Sequence, residues 1–318
     1  MNAADGLSPI FLIGCPRSGT TMTMRIMSCH EDLAWVSNFL DMAPNRLELS
    51  RRSRVYDLPV LGKHLHYARV RGDKSEFTRR VILQLPEPVE PWKFFNAYFA
   101  NFQWPRGGNT PPRRRTPSDM TSAESENFKN AVQTLCRYQG KKRFLSKYTD
   151  FPRIQFLRNV FADARFIHIT RDGRAVASSY LDKIQSGDFG TWDEREWWIS
   201  GWPSSWSDEF LNEYNTPAAF VAYQWKFFLD QIWQDAVVLP EEHYLEVNYR
   251  DIVSSPRQTF SKIFDFCGLD RSPRVEWYLG KTALRNMNTK WQVKLSDEEK
   301  VMLEQLIREP RFCHLFDS

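Results

Sequence analysis

Ile10-Phe-Leu-Ile-Gly-Cys-Pro-Arg-Ser-Gly-Thr-Thr-Met22 is the stretch whose reading decides the fold. Ile10 to Ile13 is a short apolar run bounded by Gly14 and Pro16, the length of a buried strand. A loop from Gly14 to Gly19 follows, and Thr20 to Cys29 reads as a helix. The order is strand, glycine-bounded loop, helix, with the spacing Gly-x4-Gly-Thr-Thr. Backbone N–H groups in such a loop converge on one point, and the helix dipole adds partial positive charge there. A phosphate group fits that concavity.

A nucleotide-hydrolysing P-loop places Lys and then Ser or Thr after its second glycine, the Lys for the β/γ-phosphates and the hydroxyl for Mg²⁺. Here Thr20 holds the lysine position and the cation, Arg17, lies inside the loop. That suits a donor with one phosphate in the cradle and a small charged group beyond it.

The rest of the chain alternates strands and helices. Leu33 to Ser37 reads as a second strand, with Asn38 to Pro44 as a loop. Phe144 to Tyr148, Arg165 to Thr170 and Tyr244 to Tyr249 read as strands. Helices follow over about Pro152 to Phe161, on from Arg174 through Leu181, and between a capping Ser255 with Pro256 and a closing Gly268. A last helix opens on the capping box Ser296-Asp-Glu-Glu299. This pattern predicts an α/β fold: a single domain over residues 1–318 with a central parallel sheet flanked by helices. The 105–119 stretch, rich in Pro, Gly and Arg, cannot pack, and reads as a loop-rich insertion around 100–122.

At 42% hydrophobic and 26% charged residues over 318 positions, the chain has ample apolar content for a core. A formal charge of +4 is too small to argue for nucleic acid, and no aromatics interleave the arginines near 113. Residues 46–80 hold ten Lys/Arg against four Asp/Glu, read as a solvated helix surface more readily than as an anion-binding face. Five scattered Cys (15, 29, 136, 267, 313) fit a reducing compartment. With no leader before the first strand and no long apolar run, the expectation is a cytoplasmic protein without a membrane span. Five of the twelve tryptophans fall within Trp192–Trp206, which reads as an aromatic acceptor pocket or lid, or else as a structural cap.

The Pro16-Arg17-Ser18-Gly19-Thr20-Thr21 string resembles the 5′-phosphosulfate loop of sulfotransferases, which use 3′-phosphoadenosine 5′-phosphosulfate (PAPS). Arg171, at a strand end, with Ser179 eight residues on, resembles the second signature of that family, which holds the 3′-phosphate. Asn248-Tyr-Arg-Asp-Ile is similar to the family's Tyr-Glu-Asp-Leu segment, implying Tyr249 against the adenine. Phe144-Leu-Ser-Lys147 is similar to the strand ending in a catalytic Lys. Arg285 to Trp291, with Lys290, is matched to the basic loop that closes over the nucleotide.

The resemblance implies in-line displacement at sulfur, PAPS as co-substrate, no metal, and Arg17 and Lys147 as cations where charge develops. The acceptor stays open among small molecules, carbohydrates and peptides, through a hydroxyl or an amine. A general base is expected, yet the His of the cytosolic branch falls on Thr149 and the Glu of the protein-tyrosine branch on Asn38. Glu87, Glu90, Asp41, Asp150, His64 and His66 remain. Glu90 is preferred, since a carboxylate on a proline-flanked loop beside Trp92 is open to desolvation. Competing readings are a P-loop kinase, which wants Lys at position 20, and a non-catalytic nucleotide-binding scaffold.

Overall fold

The computed structural model describes residues 6–71, 84–100, 102, 112–187 and 192–316. These build one α/β domain around a five-stranded sheet, with strands β1 (Ile10–Ile13), β2 (Leu33–Trp35), β3 (Arg143–Tyr148), β4 (Arg165–Thr170) and β5 (Tyr244–Asn248). The spatial order is β2-β3-β1-β4-β5, and every pairing is parallel. The chain works outward to one side of β1 and then to the other, so β1 sits at the point where strand order reverses. Ligand crevices in open parallel sheets form at that point, beyond the carboxyl ends of the strands.

Both faces of the sheet are covered, which explains why the strands read as unbroken apolar runs. Side chains alternate across a strand. Phe11 and Ile13 therefore join Phe144, Tyr148 and Phe166 under the helix Ser122–Gln139. Ile10 and Leu12 join Leu145, Ile167 and Val247 on the opposite face, against the helix Pro256–Cys267. Cys29, Cys136 and Cys267 are buried in these layers and Cys15 is buried in a third cluster, while Cys313 is exposed.

Three local expectations are corrected. Asn38–Met42 is a short helix, because the Ser37 hydroxyl accepts from the Leu40 N–H and caps it. The longest element missed in the sequence is the helix Ser122–Gln139, with a Thr121/Glu124 capping box and a left-handed Gly140 at its end. Ser255 precedes its helix as expected, but its side chain makes no cap hydrogen bond. The basic stretch is helical surface as far as it is described: Arg51, Arg52, Arg54 and Lys63 are exposed. Arg69 is the exception, buried over Trp35 and Tyr56. The expected insertion lies partly outside the described residues, and its described part packs, contrary to expectation: Pro112 and Arg115 are buried, and Pro117–Asp119 forms a short 3-10 turn whose Asp119 pairs with Arg113.

The tryptophan zone is packing. Trp197, Trp198 and Trp202 are buried in a third apolar cluster with the helix Pro217–Ala236. Trp202 stacks on Tyr223 at 5.5 Å and meets Phe210 edge-on at 5.6 Å. Such pairs stabilise beyond their buried area. The Trp202→Ala variant is expected to lose on the order of 3–5 kcal/mol of stability in urea unfolding. A variant with unchanged unfolding but weakened acceptor binding would return the zone to the acceptor-pocket reading.

Candidate active site

The turn that opens the site is set by its backbone. The Ser18 N–H donates to the Cys15 carbonyl at 3.2 Å, and Arg17 takes a left-handed conformation at φ 73°. Gly19 follows at φ 99°, directly before the helix Thr20–Met27. Two constraints demand glycine there: the positive φ, and the Tyr249 ring, which an added Cβ would overlap. Gly19 also brings no side chain to cap the helix, so its first N–H groups open onto a cavity of about 700 Å³ lined by Gly19, Thr20, Thr21 and Met22.

Distant parts of the chain bring charge to that cavity. Arg171 enters from the end of β4, Ser179 and Asp182 from the helix Gly173–Gln185, and Arg285, Lys290 and Lys294 from the segment after the helix Pro273–Lys281. Six cations (Arg17, Arg25, Arg171, Arg285, Lys290 and Lys294) face one carboxylate, Asp182, across the space. Asp182 is paired with Lys294 at 2.5 Å. Burial holds the Arg17 guanidinium below its ordinary pKa, with Asp182 opposing the shift.

Arg171 and Ser179, expected to converge on one phosphate, both line the cavity but do not bond to each other. It is Arg17 that meets the serine, its Nε donating to Ser179 Oγ at 3.0 Å. Arg171 donates to the Arg17 carbonyl, the Met287 carbonyl and Asn288 Oδ1, each at 2.8 Å. Its guanidinium lies 4.4 Å from the centre of the Tyr249 ring. Tyr249 OH in turn donates to the Arg285 carbonyl at 3.2 Å. Arg171 thus ties the loop to the 285–290 segment as well as facing the cavity. Pro16 and Ser18 shape the turn without lining the cavity.

Lys147 and Glu90 do not line this cavity and connect to it through Thr21. Lys147, near the end of β3, donates to Thr21 Oγ1 at 3.0 Å and pairs with Glu90 Oε2 at 3.1 Å. Thr149 Oγ1 lies 2.8 Å and 3.0 Å from the two Glu90 oxygens and donates to that carboxylate. A continuous polar line therefore runs Thr21–Lys147–Glu90–Thr149, from the helix N-terminus outward. The two cations have different partners: Arg17 meets Ser179, and Lys147 meets Thr21 and Glu90.

Asp150, Asp41 and His66, also weighed as bases, have polar partners of their own. Asp150 is held by Arg153, and Asp41 Oδ1 accepts from the Phe94 N–H. His66 is buried beside Arg69 and Cys29, and burial carries its pKa well below the usual value. His64 lies edge-on to Trp277. Thr149 and Asn38 were read in the sequence only as absent bases; their contacts with Glu90 and its loop carried no local signal. Asp182 and Lys294 went unread because an ion pair across 112 residues has no sequence pattern.

A family model described as the sulfotransferase family matches residues 9–273. The chain is a sulfotransferase. Among solved structures, sulfotransferase STF9 from Mycobacterium avium resembles it with a TM-score of 0.55 at 14% identity, over 98% of this chain and 77% of that one. STF1 from Mycobacterium tuberculosis H37Rv gives 0.49 at 15% identity, over 94% and 76%. The sulfotransferase domain of the Synechococcus PCC 7002 olefin synthase gives 0.46 at 17%, over 96% of each chain. No protein of curated function matches the chain. At these identities STF9 speaks for the fold of this sulfotransferase and for nothing finer.

Among the described residues, no helix is long and apolar enough to cross a membrane, and no group of three His, Cys, Asp or Glu is gathered as a metal site would need.

The tight fit of Tyr249 on Gly19 generates a test. The Gly19→Ala variant is expected to bind 3′-phosphoadenosine 5′-phosphate at least about tenfold more weakly by calorimetry, since the methyl must displace the ring or strain the backbone. Undiminished affinity would mean that this cradle is not where the nucleotide sits.

Proposed function

We propose that this sulfotransferase takes its sulfuryl group from PAPS and passes it to a hydroxyl or amine of a small-molecule, carbohydrate or peptide acceptor. The observation that carries the reading is the cavity itself: an uncapped helix N-terminus among six cations from three separate segments. A bisphosphorylated nucleotide fits such a site, because helix N–H groups and guanidinium donors both favour multiply charged oxyanions. Glycine at position 19, where an added Cβ would overlap the Tyr249 ring that lines the cavity, supports the same fit.

Arg17, Gly19, Thr20 and Thr21 would hold the 5′ side of the nucleotide, with Pro16 and Ser18 setting the turn. Arg171, Ser179 and Lys290 would hold the 3′-phosphate, and Tyr249 the base. When bound, the phosphosulfate supplies an electrophilic sulfur, whose bond to the phosphate oxygen breaks as the acceptor forms its own. Within the protein, Lys147 contributes a cation next to the Thr21 hydroxyl, aimed at the end of the loop where negative charge grows. Glu90 takes the acceptor's proton onto its carboxylate. Arg17 contributes a second cation on the Ser179 side. No metal has a part in this scheme.

The Ser179→Ala variant is expected to lose about tenfold in affinity for 3′-phosphoadenosine 5′-phosphate and to keep its affinity for adenosine 5′-phosphate, the loss of one hydrogen bond to a charged group. Equal losses for both nucleotides would remove the 3′-phosphate from this position.

Glu90→Gln keeps the shape of the side chain and removes its basicity. Turnover is expected to fall by on the order of a hundredfold or more, with nucleotide affinity retained. The loss should shrink for nitrophenol acceptors, which ionise with less help. Full activity in this variant would transfer the role to another group, with Glu87 the nearest carboxylate in sequence.

A further inference from the structure

We propose that Asn38 and Thr149 are positioning residues that hold the Glu90 carboxylate beside Lys147, one fixing the loop that carries it and the other fixing the carboxylate. This rests on the reading of Glu90 as the base.

The loop is laid along the end of β2, the edge strand, as an antiparallel rung. Ser37 bridges Pro88, and the Val89 N–H donates to the Val36 carbonyl at 3.2 Å. Asn38 closes the rung twice. Its N–H donates to the Glu87 carbonyl at 2.9 Å, and its Oδ1 accepts from the Glu87 N–H at 3.0 Å. Upstream, Tyr56 OH donates to the Pro86 carbonyl at 2.6 Å.

Pro86 and Pro88 have no N–H to offer. From Pro86 to Val89 the segment therefore has two backbone donors, Glu87 and Val89, and Asn38 takes one of them. Downstream, the Trp92 N–H donates to the Glu90 carbonyl at 3.0 Å and closes a turn. The Glu90 backbone is thereby fixed from both sides.

The carboxylate end is fixed separately. Lys147 and Thr149 are two residues apart at the end of β3 and project to the same side. Both reach Glu90, the ammonium at Oε2 and the hydroxyl between the two oxygens. Lys147 alone would draw the carboxylate into a closed ion pair. The Thr149 hydroxyl supplies a second, uncharged partner that holds it at a set angle, with lone pairs to spare for an acceptor proton. The dependence on position is steep, since a proton acceptor works only within hydrogen-bond reach of the attacking atom.

Steady-state kinetics on Thr149→Val and Asn38→Ala, alone and combined with Glu90→Gln, test this with the full chain. Thr149→Val is expected to lower kcat about tenfold with the KM for PAPS unchanged, and Thr149→Ser to restore it. Asn38→Ala is expected to behave likewise, with Asn38→Asp restoring the acceptor oxygen. In the ligand-free protein, Asn38→Ala should also speed amide hydrogen exchange at Glu87 and Val89. Each kinetic loss should shrink with nitrophenol acceptors, and Thr149→Val should cost less than about twofold once Glu90 is Gln, because groups acting through one another are not additive. Wild-type turnover in both single variants beside an inactive Glu90→Gln overturns the inference and leaves the base reading standing. Losses that multiply in the double variant also overturn it. A fully active Glu90→Gln sinks the base reading itself, and this inference with it.

Discussion

The hydrogen bond from Arg171 to the Arg17 carbonyl is the constraint on which the site depends. It joins the end of β4 to a loop that leaves β1, and the same guanidinium reaches the 287–288 backbone and side chain. Four chain segments meet on this one planar group once the Tyr249 ring is counted. A lysine's three donors radiate from one nitrogen and lack the planar fork that reaches acceptors set this far apart. Because Arg171 is buried, each acceptor it serves would otherwise be a desolvated carbonyl or amide oxygen without its donor. The walls of the cavity are therefore tied together by the protein's own contacts.

Much of this could be read from the chain. Parallel strands buried on both faces leave continuous apolar runs, and β1 and β4 were bounded in the sequence to the residue. The glycine-bounded loop announced itself because its geometry is local: a positive φ at Gly19 and a helix start at Thr20 need no distant partner. Arg171 and Lys147 were legible as cations at the carboxyl ends of strands, where ligands gather.

The parts that escaped are those whose meaning is set across the sheet. Asn38–Met42 lacks the length to show a helical period, and only the Ser37 cap makes it a helix. Trp197, Trp198 and Trp202 read in the sequence as an acceptor pocket or lid, or else as a structural cap. Yet the helix Pro217–Ala236 presents Phe220 and Tyr223 to receive Trp202, and packing accounts for it. Thr149 and Asn38 were visible only as departures from a pattern. Their contacts run through the 86–91 loop, and nothing in the order of residues says that this loop returns to the end of β2.

The burial of the cysteines has a practical side. Burial pushes the Cys15 thiol far above its usual pKa and raises Cys29 to about 11 and Cys136 and Cys267 to about 12, which leaves almost no thiolate on them near neutrality. Even the Cys15 thiol, inside the Gly14–Gly19 loop, is thus masked from alkylating reagents in the folded protein. Cys313 stands exposed in the turn Pro310–Leu315, one residue from the His314 that contacts Glu246 on β5. The native chain therefore carries a single addressable thiol, a ready attachment point for a fluorophore or spin label at the sheet's outer edge, with no cysteine to remove first.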